Sequence, residues 1–413
     1  MMDNATEATG TAGGLKVLSR SSGLRPLRLG GKELVPIVQG GMGVGVSAGR
    51  LAGTVAACGG IGTISSVDLR RHHADLMAQT EHLNAASGAH ERIDAANLVA
   101  LNRELIRARD LAGGNGLIAV NVMKAVSSYE SYVRHSLACG ADAVVVGAGL
   151  PLDLPDLARD YPDALLIPIL SDARGVQLVV RKWEKKGRLP SAIVIEHPRL
   201  AGGHLGAAKV ADLNDRRFDF EVVIPEVLAF FKSAGITRDI PLIAAGGIRT
   251  RADILRLQAL GAAAVQLGTA FAVTAECDAS PAFKKVLADA RPEDIVEFTS
   301  VAGLPARAVR TLWLEKYLRL ETRLKSNARV KECSMLFDCL SHCGLRDGNA
   351  AWGQFCIDRS LGLALSGDVN KGLFFRGAGE LPFGNQIRPV HELMQWLLGE
   401  VVPAALQQEE VLA

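Results

Sequence analysis

The sequence predicts an α/β chain closed into a (β/α)8 TIM barrel, with a long second βα excursion and a mainly helical C-terminal extension. Three observations predict it. Eight short, β-rich and nearly continuous apolar runs lie in the first 290 residues, as strands buried on both faces should look. Amphipathic helical stretches alternate with them. Several of the runs end in glycines and small polar residues, at the strand ends where such barrels keep their ligands. A doubly wound open sheet is the rival arrangement.

In chain order, residues 1–14 are polar and small and read as a loose tail, part of a flexible segment assigned to 1–30. They carry no basic stretch followed by an apolar one, so export is not expected. The barrel is assigned to 31–300 and the extension to 301–413. Strands are expected at 35–39, 61–65, 117–121, 143–146, 164–168, 192–195, 241–244 and 263–267. Helices are expected at 48–57, 95–111, 127–138, 174–186, 222–234 and 252–260. Residues 67–116 form the long excursion, with His72, His73, His82 and His90 around a polar stretch at 80–92. Helical, solvent-facing spacing accounts for these histidines about as well as a metal does, and no metal is assigned to them. Residues 198–220 read as a loop after the sixth strand.

Composition narrows the function. A chain of 413 residues with 48% in the hydrophobic set buries a large core, which excludes disorder as the main state. Lys and Arg number 46 against 44 Asp and Glu. That balance argues against a dedicated nucleic-acid coat and leaves only a local patch open. No uncharged apolar stretch reaches the length of a membrane span. The expectation is a cytoplasmic protein acting on a small molecule, and a homodimer is compatible with it. Seven cysteines in so long a chain are not a secreted disulfide framework.

The strand ends carry the chemistry. Pro36-Ile37-Val38-Gln39-Gly40-Gly41-Met42-Gly43 ends a strand in bare backbone that can face a flat or anionic ligand. Asn121 emerges at the end of Ala119-Val120-Asn121, where its amide either meets a heterocycle edge or caps the next helix. Ala201-Gly202-Gly203-His204-Leu205-Gly206 sets a histidine among glycines after the sixth strand. An imidazole there is suited to proton transfer near neutral pH, with a structural role as the plain alternative. Ala244-Ala245-Gly246-Gly247-Ile248 and Gly268-Thr269-Ala270-Phe271 end the seventh and eighth strands. Those two loops form the usual phosphate site of this fold, so a phosphate-bearing ligand is expected there.

Taken together and in this order, these motifs resemble the nitronate monooxygenases, also called 2-nitropropane dioxygenases, over roughly residues 35–290. Flavin-dependent enoyl reductases of bacterial fatty-acid synthesis share the same barrel. The resemblance implies FMN at the carboxyl mouth, its phosphate on Gly246, Gly247, Gly268 and Thr269. It also implies Gly41 and Met42 along the ring system, Asn121 in contact with it, and Glu196 and Gly203 near the ribityl chain. His204 matches the family's catalytic histidine. Two departures stand out: the Glu196–Gly202 interval, and Ala270 where many members have Arg.

Beyond the barrel, a helix carrying Arg310, Lys316, Arg319, Arg323 and Lys325 is expected to about residue 325, read as a solvated face before an RNA surface. Cys333, Cys339, Cys343 and Cys356 follow within 24 residues. Four such thiols match the ligand count of a [4Fe–4S] cluster. Zinc suits the spacing less well, and unliganded thiols or a disulfide are the third alternative. Some longer nitronate monooxygenase-like proteins resemble this chain in that four-cysteine tail. Residues 374–379 are read as an ordinary connection in preference to a lid, and 391–400 as a closing helix. The expected function is an FMN-dependent oxidoreductase with a ferredoxin-like or nicotinamide electron partner. The alternatives are an enoyl-thioester reductase and an RNA-modifying flavoprotein.

Overall fold

Eight parallel strands close into a barrel in the computed structural model, which describes residues 11–83 and 88–399. The strands are β1 (Ile37–Gln39), β2 (Ile61–Ser65), β3 (Leu117–Met123), β4 (Ala143–Gly147), β5 (Leu165–Leu170), β6 (Ile193–Glu196), β7 (Leu242–Ala245) and β8 (Ala264–Leu267). Each pairs with the next, and β8 closes on β1 through Val265 opposite Ile37 and Leu267 opposite Gln39. All eight coincide with expected runs, and the six expected helices form between them. The open sheet is therefore excluded.

The reason lies in burial. Residues of β2, β4 and β7 are buried at every position, as required when one face meets the barrel interior and the other meets helices. Outside the barrel, helix Gly49–Ala57 lies against the long helix Ala89–Ala112. The approach is close: a Cβ on Gly53 would stand 2.7 Å from the carbonyl oxygen of Ala108.

Three expectations change. From residue 11 the supposed tail is ordered: a helix spans Ala12–Ser21, and an antiparallel hairpin pairs Leu27–Leu29 with Lys32–Leu34. Leu27, Leu29 and Leu34 enter the same buried cluster as Val38, Ile61, Leu117 and Val194, so the hairpin stoppers the amino end of the barrel. Apolar residues two apart on a short hairpin are easily overlooked among polar neighbours. The stretch 198–220 is not a bare loop either. Gly203–His204 forms a short strand beside Pro305–Val309, which also pairs with Ile295–Thr299. Finally, residues 373–382 do not simply connect two helices; they fold back over the barrel mouth.

The extension contains helices Leu312–Ser326, Ile357–Ser366 and Val390–Leu398. Leu314 and Tyr317 bury the inner face of the first, while Lys316, Arg319 and Arg323 face solvent. No helix among the described residues is long and apolar enough to cross a membrane.

Candidate active site

A cavity of about 690 Å³ opens at the carboxyl ends of the strands. Gly41, Met42, Asn121, Glu196, Gly203, His204, Gly246, Gly247, Gly268 and Thr269 all line it. Residues separated by more than 200 positions meet there because parallel strands present their C-terminal ends on one rim. Gly41 must lack a side chain: a Cβ would stand 2.8 Å from Cγ of Asn121. Asn121 is steadied by donating from Nδ2 to the carbonyl of Val145 at 3.3 Å. The Met42 N–H is taken by Ser47 Oγ at 2.9 Å, which fixes the turn after β1.

His204 is held by β-sheet rather than by glycines alone. It stands opposite Ala306, and Leu205 N–H donates to the Pro305 carbonyl at 2.8 Å. Its Nε2 lies 3.0 Å from Ser300 Oγ, and the ring of Phe375 packs against it with centroids 5.5 Å apart. Burial disfavours the imidazolium and lowers its pKa to about 4, so the ring is neutral at physiological pH. Burial acts oppositely on Glu196 and raises it to about 7, against a Gly206 N–H bond and the charge of Arg307 that favour the carboxylate. The two groups are thus both held toward their uncharged forms.

The folded-back strap, the less favoured alternative for residues 374–379, adds a wall to the cavity. Phe375, Arg376, Gly377 and Ala378 line the cavity. Gly377 donates its N–H to Thr269 Oγ1 at 2.9 Å, and Ala378 donates to the Leu200 carbonyl at 3.1 Å. At the outer rim Leu150 and Leu178 are 41% and 40% exposed. Arg174 lines the same rim and, among the described residues, has no acidic partner.

The cysteines behave differently from the barrel motifs. Cys333, Cys339, Cys343 and Cys356 share one irregular segment and are free, partly buried thiols, so the disulfide alternative is not realised. Burial first, then Asp358 and the other three thiols, push Cys339 well above its ordinary value. Among the described residues, no three His, Cys, Asp or Glu side chains are placed to hold a metal ion. The segment still touches the active site: Gly353 N–H donates to the Ser300 carbonyl at 3.0 Å and Gly344 N–H to that of Val301 at 2.7 Å. The histidines of the excursion are dispersed: His72 meets the Gly45 carbonyl at 2.8 Å, His73 meets Glu104 at 3.0 Å, His82 meets Glu81 and His90 meets Asp94.

Fold and rim together define a (β/α)8 barrel whose glycine-bearing strand ends, Thr269 and His204 share one chamber. A family model described as nitronate monooxygenase matches residues 31–400, and the chain belongs to that family. The "Probable nitronate monooxygenase" of Bacillus subtilis is 30% identical over 131 residues, 32% of this chain and 35% of that protein. A Mycobacterium tuberculosis protein named as a hydroxy-methyl-oxo-octahydro-indene-carboxyl-CoA dehydrogenase is 25% identical over 285 residues, 68% of this chain and 64% of that one. The chain thus spans about a third of the first of these relatives and less than two thirds of the second. Among solved structures, FabK from Thermotoga maritima superimposes with a TM-score of 0.59 at 22% identity, covering 88% of this chain and 91% of that one. Both structure and family place the chain in the barrel class read from its strand pattern.

Proposed function

We propose that this chain is an FMN-dependent oxidoreductase of the nitronate monooxygenase type, with His204 as its proton-handling group. The observation that carries the reading is the convergence, in one cavity, of His204 with the nine residues expected to hold the flavin. The residues fit that cofactor. The volume lies within the range of cofactor sites, Gly41, Met42 and Asn121 line the same chamber that a flat ring would enter, and Thr269 offers a hydroxyl beside Gly246, Gly247 and Gly268. When bound, the flavin supplies electron acceptance.

The chain's own residues supply the rest. Ser300 Oγ accepts the Ala302 N–H at 3.2 Å and lies 3.0 Å from His204 Nε2, which holds the ring in place. A neutral imidazole takes a proton at its bare ring nitrogen and returns it from the imidazolium so formed. Phe375 covers one side of the ring and limits water there.

The test is an absorbance spectrum of the purified protein combined with oxygen uptake on an alkyl nitronate. Flavin bands with nitronate-dependent uptake support the reading; colourless protein that takes up no FMN overturns it. The rim favours one second reading, an enoyl-thioester reductase. Leu150 and Leu178 beside the unpaired Arg174 suit an apolar chain ending in an anionic carrier. Bleaching by NADH followed by reoxidation with crotonyl thioester would support it. A [4Fe–4S] cluster on Cys333, Cys339, Cys343 and Cys356 is a separate proposal resting on thiol number and spacing. Iron and sulfide analysis after anaerobic purification decides it.

A further inference from the structure

Charge does not balance at the phosphate-cradle end of the cavity. Arg249 is neutralised by Glu380 at 2.6 Å, and Arg307 by Glu297 at 2.6 Å. Arg376 is not neutralised. It is 3% exposed and lines the cavity. Its Nε donates to the Leu287 carbonyl at 2.9 Å, and Nη1 donates to those of Gly377 at 2.9 Å and Gly379 at 2.8 Å. Among the described residues no carboxylate stands within ion-pairing distance of it. Burial alone acts on the guanidinium, lowering its pKa. A desolvated cation held only by neutral carbonyls is costly until an anion arrives.

Its position says which anion. The next residue, Gly377, donates to Thr269 Oγ1, the hydroxyl beside the glycine ends of β7 and β8. The barrel itself places only Ala270 after Thr269. We propose that Arg376, delivered by the C-terminal strap and not by the barrel, is the countercharge for the phosphate monoester of the bound cofactor. This rests on the FMN reading. Arg is suited to the task because its planar fork can keep its carbonyl bonds while offering further donors to phosphate oxygens. The extension is then part of the cofactor site.

The experiment titrates full-length apoprotein with FMN and with riboflavin, following quenching of flavin fluorescence. Wild type should bind FMN more tightly than riboflavin. In Arg376→Met, FMN affinity should fall roughly 10- to 100-fold while riboflavin affinity holds. A variant that keeps the wild-type preference for FMN overturns the proposal, as does a wild type that binds both flavins equally. A wild type that binds neither removes the cofactor reading itself. Should the variant not fold, the 31P resonance of FMN on wild type decides. A phosphate that stays dianionic down to pH 5 supports the pair, and one that titrates near its free value of about 6 overturns it.

Discussion

His204 and Glu196 sit in one cavity with opposite shifts from one cause, and the consequences can be measured separately. His204→Ala should keep its flavin yet lose roughly 10²- to 10⁴-fold in turnover. The ratio of flavin to protein absorbance, beside a steady-state rate, checks both halves. For Glu196 the sign follows from linkage. Its pKa rises from 4.5 to about 7 on folding. The unfolded chain therefore loses this proton first, and apoprotein stability declines from pH 4.5 to 7. Glu196→Gln should remove that decline, visible as a flatter urea midpoint across the window. His204 acts the other way, lowering stability as pH falls from 6.5 toward 4. His204 was legible in the sequence because glycines flank it after a strand. Ser300 was not, since it lies 96 residues away in no recognisable motif. The 374–379 segment that carries Arg376 does show in the sequence as a lid alternative, but nothing local says which surface it covers.

At the level of elements, the packing of helix Gly49–Ala57 on helix Ala89–Ala112 depends on small residues. A Cβ on Gly49 would stand 2.6 Å from the Glu104 carbonyl oxygen, and one on Gly53 2.7 Å from that of Ala108. Gly53→Val should therefore lower stability by about 1–3 kcal/mol through overpacking, read as a shifted denaturant midpoint. The barrel strands were readable because burial on both faces imposes unbroken apolar runs. The sheet that holds His204 was not. Gly203–His204 has only two residues, and Pro305–Val309 includes proline, alanines and an arginine, poor signals for a strand. Their pairing is a tertiary fact, set by the chain returning across the rim.

Across the whole molecule, both flanks of the barrel segment prove to be working parts. The amino end of the cylinder is closed by the hairpin leucines, and Leu27 is fully buried against the strands. Leu27→Ala should cost about 2–5 kcal/mol, measurable by denaturant unfolding, with flavin bound at the opposite end left in place. The eightfold repeat was countable from sequence, while the stopper was not and the strap showed only as the less favoured alternative for residues 374–379. Local periodicity records which face of an element is buried but not which distant surface covers it. The cysteine segment shows the limit from the other side: its spacing drew attention to a ligand set, but no single-ion site is built from it among the described residues.

Helix Val390–Leu398 touches helices Ala12–Ser21, Gly49–Ala57 and Arg251–Leu260. It thus straddles the seam where β8 meets β1. A ribosome delivers this clasp more than a hundred residues after β8 has emerged. Until then the first and last staves are held by their own short ladder, by Gln258 donating to the Arg25 carbonyl at 2.8 Å and by Asp278 accepting the Ala48 N–H at 2.9 Å, and the late clasp is laid over them.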